Sequence, residues 1–277
     1  MQSLESIEKV TSIGLEKVVI PETDGSSIIL QRNAKDSRKN EISDFGALLP
    51  ESAKKTEENA ERIFNTIFEN LGNKDKHSVD ILIVAANTSL LTPDGSSSTH
   101  KRALETAEAV SKGVYSSMTK FGIPDSQLLN KNGHPVELRS GILTDLKALE
   151  DSPKFIDYMV TKYGTGQEFW ETFEADIERE KRIEMEAEGP NEIAERVDSY
   201  IRVLNNALDF YHTNHPGRRV VAVVIGHYDN LSPYIKRMLN KNMEDYLPID
   251  YGSGIQIEIK ADRKRVAHIE GLEISLD

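Results

Sequence analysis

The chain has 277 residues, with 34 Lys plus Arg against 46 Asp plus Glu, for a formal charge of −12 at pH 7. That acidity opposes general binding to nucleic acid or to an anionic membrane, both of which call for a basic face. Cysteine is absent, which excludes disulfides, zinc–thiolate sites and thiol catalysis.

Hydrophobic residues, at 38%, are enough for a sizeable core. No apolar run approaches the roughly 18 residues of a spanning helix. Met1-Gln2-Ser3-Leu4-Glu5 lacks the basic and apolar regions of a signal peptide, so a cytoplasmic protein is expected. Val18-Val19-Ile20 reads as a short strand and Asp24-Gly25 as a turn. Ile28–Arg32 is the first main strand, and it carries an arginine to its C-terminal end. In an α/β protein that end lies in the crevice where ligands bind. Residues 35–50 follow as a basic and polar loop with Gly46 and Pro50 as breakers. A helix is expected from about Glu51, with Ile63, Phe64, Ile67, Phe68 and Leu71 on one face and Gly72 at its end.

Asp80–Ala86 is a continuous apolar run after its first residue, the mark of a parallel strand buried on both faces. A polar loop, Thr92–Ser98, leads to a helix with Ala103, Thr106, Ala107, Val110, Val114 and Met118 on one face. Lys101 and Arg102 fall in its first turn. Cations there oppose the helix dipole and gain nothing structurally, while an anion would be favoured. Val136–Arg139 reads as a short strand and Ile142–Leu146 as an extended segment, followed by a long polar helical region with Phe169, Trp170 and Phe173. The charge run Glu178–Glu188 predicts a solvated helix face laced by pairs four residues apart.

Gly189-Pro190 breaks that run, and a long helix follows with Ile193, Val197, Ile201, Leu204, Leu208 and Tyr211 on one face. His212-x-x-His215 has metal-compatible spacing but no convincing third ligand. Asn214–Gly217 is a turn, and Val220–Ile225 is the most strand-like run in the chain. It ends in Gly226-His227, with a helix expected near Leu231. A histidine in that position suits acid–base work or anion binding. The tail reads as two strands, Ile255–Ile259 and Val266–Leu276, forming a hairpin that closes the sheet. The alternation of strands and helices predicts an α/β fold. There is no Walker A and no Gly-x-Gly-x-x-Gly sequence, and Ser96-Ser97-Ser98 has no serine-hydrolase pattern around it.

Three of these stretches, in order, resemble the histidine phosphatase superfamily, the phosphoglycerate-mutase-like group: Arg32-Asn33-Ala34, Arg102-Ala103-Leu104-Glu105-Thr106-Ala107 and Gly226-His227. In that family the first strand ends in Arg-His-Gly or Arg-His-Ala. A later helix carries Arg-Ala-x-x-Thr-Ala, and a late strand ends in Gly-His or Ser-His. Gly189–Val197 also looks like the family's helix before the last strand. The resemblance runs over about residues 27–260 and implies a mostly parallel central sheet flanked by helices. It implies one domain across 1–277, with about 150–190 inserted as a helical cap.

The activity it implies is metal-independent hydrolysis of a phosphomonoester, or less readily a phosphomutase reaction. In the family a histidine attacks phosphorus to give phosphohistidine. Two arginines and a second histidine hold the phosphate, a carboxylate protonates the leaving oxygen, and water hydrolyses the intermediate. Carried over residue by residue, Arg32 and Arg102 clamp the phosphate, and Arg38 or Lys39 adds a further positive contact. His227 is the second histidine, and Asp145 is the general acid with Glu150 as runner-up. No cofactor is implied. The expected partner is a phosphorylated small molecule or phosphate, without nucleic acid or membrane, and a homodimer is left open.

The departure falls on the nucleophile, whose position holds Asn33. An amide nitrogen is not basic, so by analogy with nucleophile deletions turnover falls by roughly 10⁶-fold. Two explanations compete: an inactivating substitution in an active enzyme, or a natural pseudophosphatase that binds a phosphorylated ligand or partner. Tyr228 also stands where the family often has a small residue.

Overall fold

The computed structural model of the protein describes residues 15, 18–35, 48–86, 88–91, 97–100, 102–137, 153–164, 167–242 and 246–276. The expected α/β class is observed. The strands are β1 (Ser26–Arg32), β2 (Val79–Ala85), β3 (Thr88–Leu91), β4 (Ser97–His100), β5 (Val136–Glu137), β6 (Arg219–Gly226), β7 (Gly254–Ile259), β8 (Arg265–Ile269) and β9 (Leu272–Ser275). The helices used below are α1 (Pro50–Asn70), α2 (Arg102–Phe121), α3 (Pro153–Tyr163), α4 (Gln167–Glu174), α5 (Arg179–Glu184), α6 (Pro190–Asn214) and α7 (Tyr228–Met238). Among the described residues no helix is long and apolar enough to cross a membrane.

Seven strands form one sheet in the order β5-β2-β6-β1-β7-β8-β9. Its β5-β2-β6-β1 half is parallel, and β7, β8 and β9 add on antiparallel. The apolar runs of β1, β2 and β6 are nearly all buried, as strands covered on both faces require. Ile29 and Gln31 share a small cavity with Ile63 and Phe64 of α1 and Val110 of α2. Strand side chains alternate, so Ile28, Leu30 and Arg32 point to the opposite face. The β1–β6 register pairs Ser26 with Val220 and Arg32 with Gly226. Both strands therefore end at the same level, and residues 33 and 227 emerge side by side.

Several elements differ from the expectations of the sequence. Val18–Ile20 forms no strand; the Val19 N–H donates to Gln256 Oε1 at 2.6 Å and its carbonyl accepts from Gln256 Nε2, so one buried side chain replaces a ladder. The expected strand Val266–Leu276 is folded into β8 and β9 by a two-residue turn, with Glu270 at φ 47° and Gly271 at φ 77°. Positive φ at both positions matches the twist of the flanking strands. The end of the expected polar loop, Ser97-Ser98, is the start of β4, which pairs antiparallel with β3. α7 begins directly at Tyr228 rather than near Leu231.

The long helical region is broken into α3, α4 and α5, with Gly164 and Asp176 at positive φ between them. Its charge run is not wholly solvated. Arg182 is buried, donating to both carboxylate oxygens of Asp176 at 2.7 and 2.8 Å and to the Ala187 carbonyl at 2.9 Å. Gly189 makes room for it: a Cβ there would lie 2.5 Å from the guanidinium carbon.

Candidate functional site

The C-terminal ends of β1 and β6 deliver Arg32, Asn33 and His227 to one place. Backbone bonds fix them there. The Asn33 N–H donates to the Gly226 carbonyl at 2.8 Å, and the Arg32 N–H to the Ser253 carbonyl at 2.8 Å. His227 Nδ1 and Asn33 Oδ1 are 3.1 Å apart, and both residues are buried. Asn33 Nδ2 donates to the Ala34 carbonyl at 2.8 Å, which sets the orientation of the amide. Its oxygen can only accept, so the proton of this bond is on His227 Nδ1. In the neutral ring the basic lone pair is then on Nε2.

Arg102 arrives from the first residue of α2. The Arg-Ala-x-x-Thr-Ala spacing has a local physical reason. Thr106 Oγ1 donates back to the Arg102 carbonyl at 2.6 Å and accepts the Ala34 N–H at 3.1 Å. One fully buried hydroxyl thus ties the start of α2 to the turn after Asn33. Ala103 and Ala107 are fully buried beside it, small enough for the helix to approach the strand end. Glu105 Oε2 accepts the Leu48 N–H at 2.6 Å and pins the chain entering α1.

Arg32 has unusual surroundings. Its guanidinium carbon lies 3.9 Å from the ring centre of Tyr251 and 5.1 Å from that of Tyr228. Nη1 donates to the Ile249 carbonyl, and Nε is buried with no hydrogen-bond partner among the described residues. No carboxylate among those residues pairs with it. Burial is the main cause that lowers its pKa below the ordinary value; the tyrosines at 251, 228 and 246 oppose this, and the like charge of Arg102 adds to it. A guanidinium held against a like charge with no carboxylate of its own is costly alone and is stabilised by a bound anion.

Helices α4 and α7 meet behind this arrangement. Trp170 lies 5.2 Å from Tyr228, and Tyr246 lies 6.0 Å from it. Tyr228 donates to the Leu247 carbonyl at 3.1 Å. The fully buried Glu174 of α4 pairs with the fully buried Lys236 of α7. Burial raises the Glu174 pKa, against the pull of Lys236 and the hydroxyls of Ser232 and Tyr228.

Of the residues singled out in the sequence, Arg32, Asn33, Arg102 and His227 come together. Arg38, Lys39, Asp145 and Glu150 lie outside the described residues. His212 and His215 do not converge on the site. His212 Nε2 is 2.8 Å from Ser26 Oγ, and His215 stacks on Tyr211 at 4.2 Å, at the opposite end of the strands. Tyr251, Tyr246 and Trp170 were missed as site residues. The one available signal was the stretch Tyr246–Gly254, where tyrosines alternate with turn-forming Pro248, Asp250 and Gly252.

No family model matches the chain, and no curated protein matches it. It is similar to a solved structure described as phosphoglycerate mutase from Bacillus anthracis str. Sterne, at 15% identity and a TM-score of 0.45. That likeness covers 90% of this chain and 93% of the other.

Proposed function

We propose that this site binds the phosphoryl group of a phosphomonoester. In this reading its machinery is that of a metal-independent phosphomonoester hydrolase working through phosphohistidine, and Asn33 halts turnover in the chain as it stands. The observation that carries the reading is Arg32: a half-buried guanidinium, its Nε fully enclosed, with no carboxylate partner among the described residues and its charge set against Arg102. Phosphoryl transfer calls for positive charge around three equatorial oxygens and an in-line nucleophile. Arg32, Arg102 and the His227 side chain supply the first; residue 33 is where the second belongs.

With histidine at 33, its ring nitrogen attacks phosphorus and the ester P–O bond breaks. The leaving oxygen takes a proton from a carboxylic acid, for which Asp145 is proposed and Glu150 is the runner-up. Water then attacks phosphorus, the P–N bond breaks, and phosphate leaves. With Asn33 the first attack has no basic nitrogen behind it. One observation favours the alternative, a pseudophosphatase that binds without catalysis. Both ends of the Asn33 amide are satisfied, by His227 and by the Ala34 carbonyl, so the residue is integrated into the site.

The test is phosphate release from a panel of phosphomonoesters without added metal, by the chain as it stands and by Asn33→His. The expected result is phosphomonoester binding by both. Turnover should appear only in Asn33→His and be lost again on adding Arg102→Ala or His227→Ala. Binding by both without turnover in either favours the pseudophosphatase. Comparable turnover in both overturns the role given to residue 33.

A further inference from the structure

Two aromatic rings lie over the Arg32 guanidinium and two more pack on one of them, four rings from three separate stretches. Tyr251 lies on the guanidinium at 3.9 Å and Tyr228 at 5.1 Å; Trp170 and Tyr246 pack on Tyr228 at 5.2 and 6.0 Å. Tyr228 is buried and belongs to the core, but Tyr251 is 39% exposed, and Trp170 and Tyr246 are half-buried. A single exposed ring elsewhere on a surface would need no explanation. Here a cluster of them edges a half-buried arginine that has no carboxylate partner among the described residues. Arg32 touches the rings of Tyr251 and Tyr228 and the Ile249 carbonyl.

We propose that the ligand of this site is an aryl phosphomonoester, with its phosphate at Arg32, Arg102 and His227 and its ring packed against Tyr251 beside Trp170 and Tyr246. The inference rests on the phosphate-site reading above and specifies the group attached to the phosphate. Aromatic rings prefer offset-stacked or edge-to-face partners over a polyol, with a gain of about tenfold in affinity for one good pair. Tyr251 and the other rings then determine which esters are held, while the arginines bind the charge common to all of them.

The test titrates the full chain, with Asn33 in place, with phenyl phosphate, O-phosphotyrosine, glycerol phosphate and inorganic phosphate. Calorimetry gives affinities, and the protein's one tryptophan, Trp170, reports occupancy by fluorescence. The expected result is aryl esters bound about tenfold or more tightly than glycerol phosphate. That ratio should collapse toward one in Tyr251→Leu and persist in Tyr251→Phe. Equal affinities for aryl and alkyl esters, all lost in Arg32→Met, overturn this inference and leave the phosphate site standing. Failure of every phosphomonoester to bind overturns both.

Discussion

Arg32 and Arg218 stand at opposite ends of the same parallel strands, and their surroundings are opposite in kind. Arg218 donates through Nε and Nη2 to the two oxygens of Asp80 and through Nη1 to the His77 carbonyl at 2.7 Å. Tyr211 donates to the same carboxylate at 2.8 Å. The Asp80 bond raises the Arg218 pKa, against the effect of burial. Arg32 has rings and a second arginine where Arg218 has an acid, and its pKa is lowered. The charge at the N-terminal ends of the strands is settled within the protein. At the C-terminal ends Arg32 has no carboxylate partner among the described residues. An arginine's role is thus read from what neutralises it.

The comparison is sharpened first by replacing each arginine with methionine, which keeps the stem. Arg32→Met should weaken phosphomonoester binding by on the order of 100-fold, since charge-assisted bonds to phosphate are lost. Its melting temperature should hold or rise, because a desolvated charge has been removed. Arg218→Met should do the reverse, leaving ligand binding intact. Stability should fall by about 2–3 kcal/mol in a denaturant titration, because the buried Asp80 loses its cation and keeps only the Tyr211 hydroxyl, while Arg218 itself is partly solvated. A stable Arg218→Met or an unstable Arg32→Met with normal binding would break the comparison.

Thr106→Val comes next. It keeps the shape but strands the Ala34 N–H, and should lower stability by about 1–2 kcal/mol and loosen the turn after Asn33. Ligand affinity should fall with it, measured by the same titration. The smallest effect is a pH slope at the N-terminal end. Burial is the main cause that lowers the His212 pKa below its ordinary 6.5. The unfolded chain therefore binds a proton at higher pH than the folded one. The stability tied to this group is complete above the unfolded value. It falls as pH drops below about 6.5, by at most ~1.4 kcal/mol per pH unit. Melting curves between pH 7.5 and 5.5 should show that slope in the parent and a flatter one in His212→Gln.

Much of the architecture was legible along the chain. β1, β2 and β6 are continuous apolar runs because a parallel strand is covered on both faces. The buried faces of α1, α2 and α6 repeat at helical spacing for the same reason of burial. The strand ends at Arg32 and His227 and the helix start at Arg102 could be marked out because an apolar run must stop where polar chemistry begins. What escaped was set by partners distant in sequence. Gln256 stands in for a strand beside Val19, 237 positions away. Arg182, within a run of charges, is buried because Asp176 and the Ala187 carbonyl happen to surround it. Trp170 packs on Tyr228 beside the arginine site although nothing in its local pattern differs from that of core aromatics.

The sequence by itself determined the α/β class, the strand and helix faces, and the residue types at the strand ends, since these depend on periodicity and on local backbone preference. The tertiary structure alone decided that β1 and β6 end level, so that Asn33 and His227 share a hydrogen bond. It also decided that Arg32 is flanked by rings while Arg218 meets a carboxylate. The physical reason is that burial and charge compensation are properties of neighbours in space, and a sequence lists its residues without saying which of them will meet.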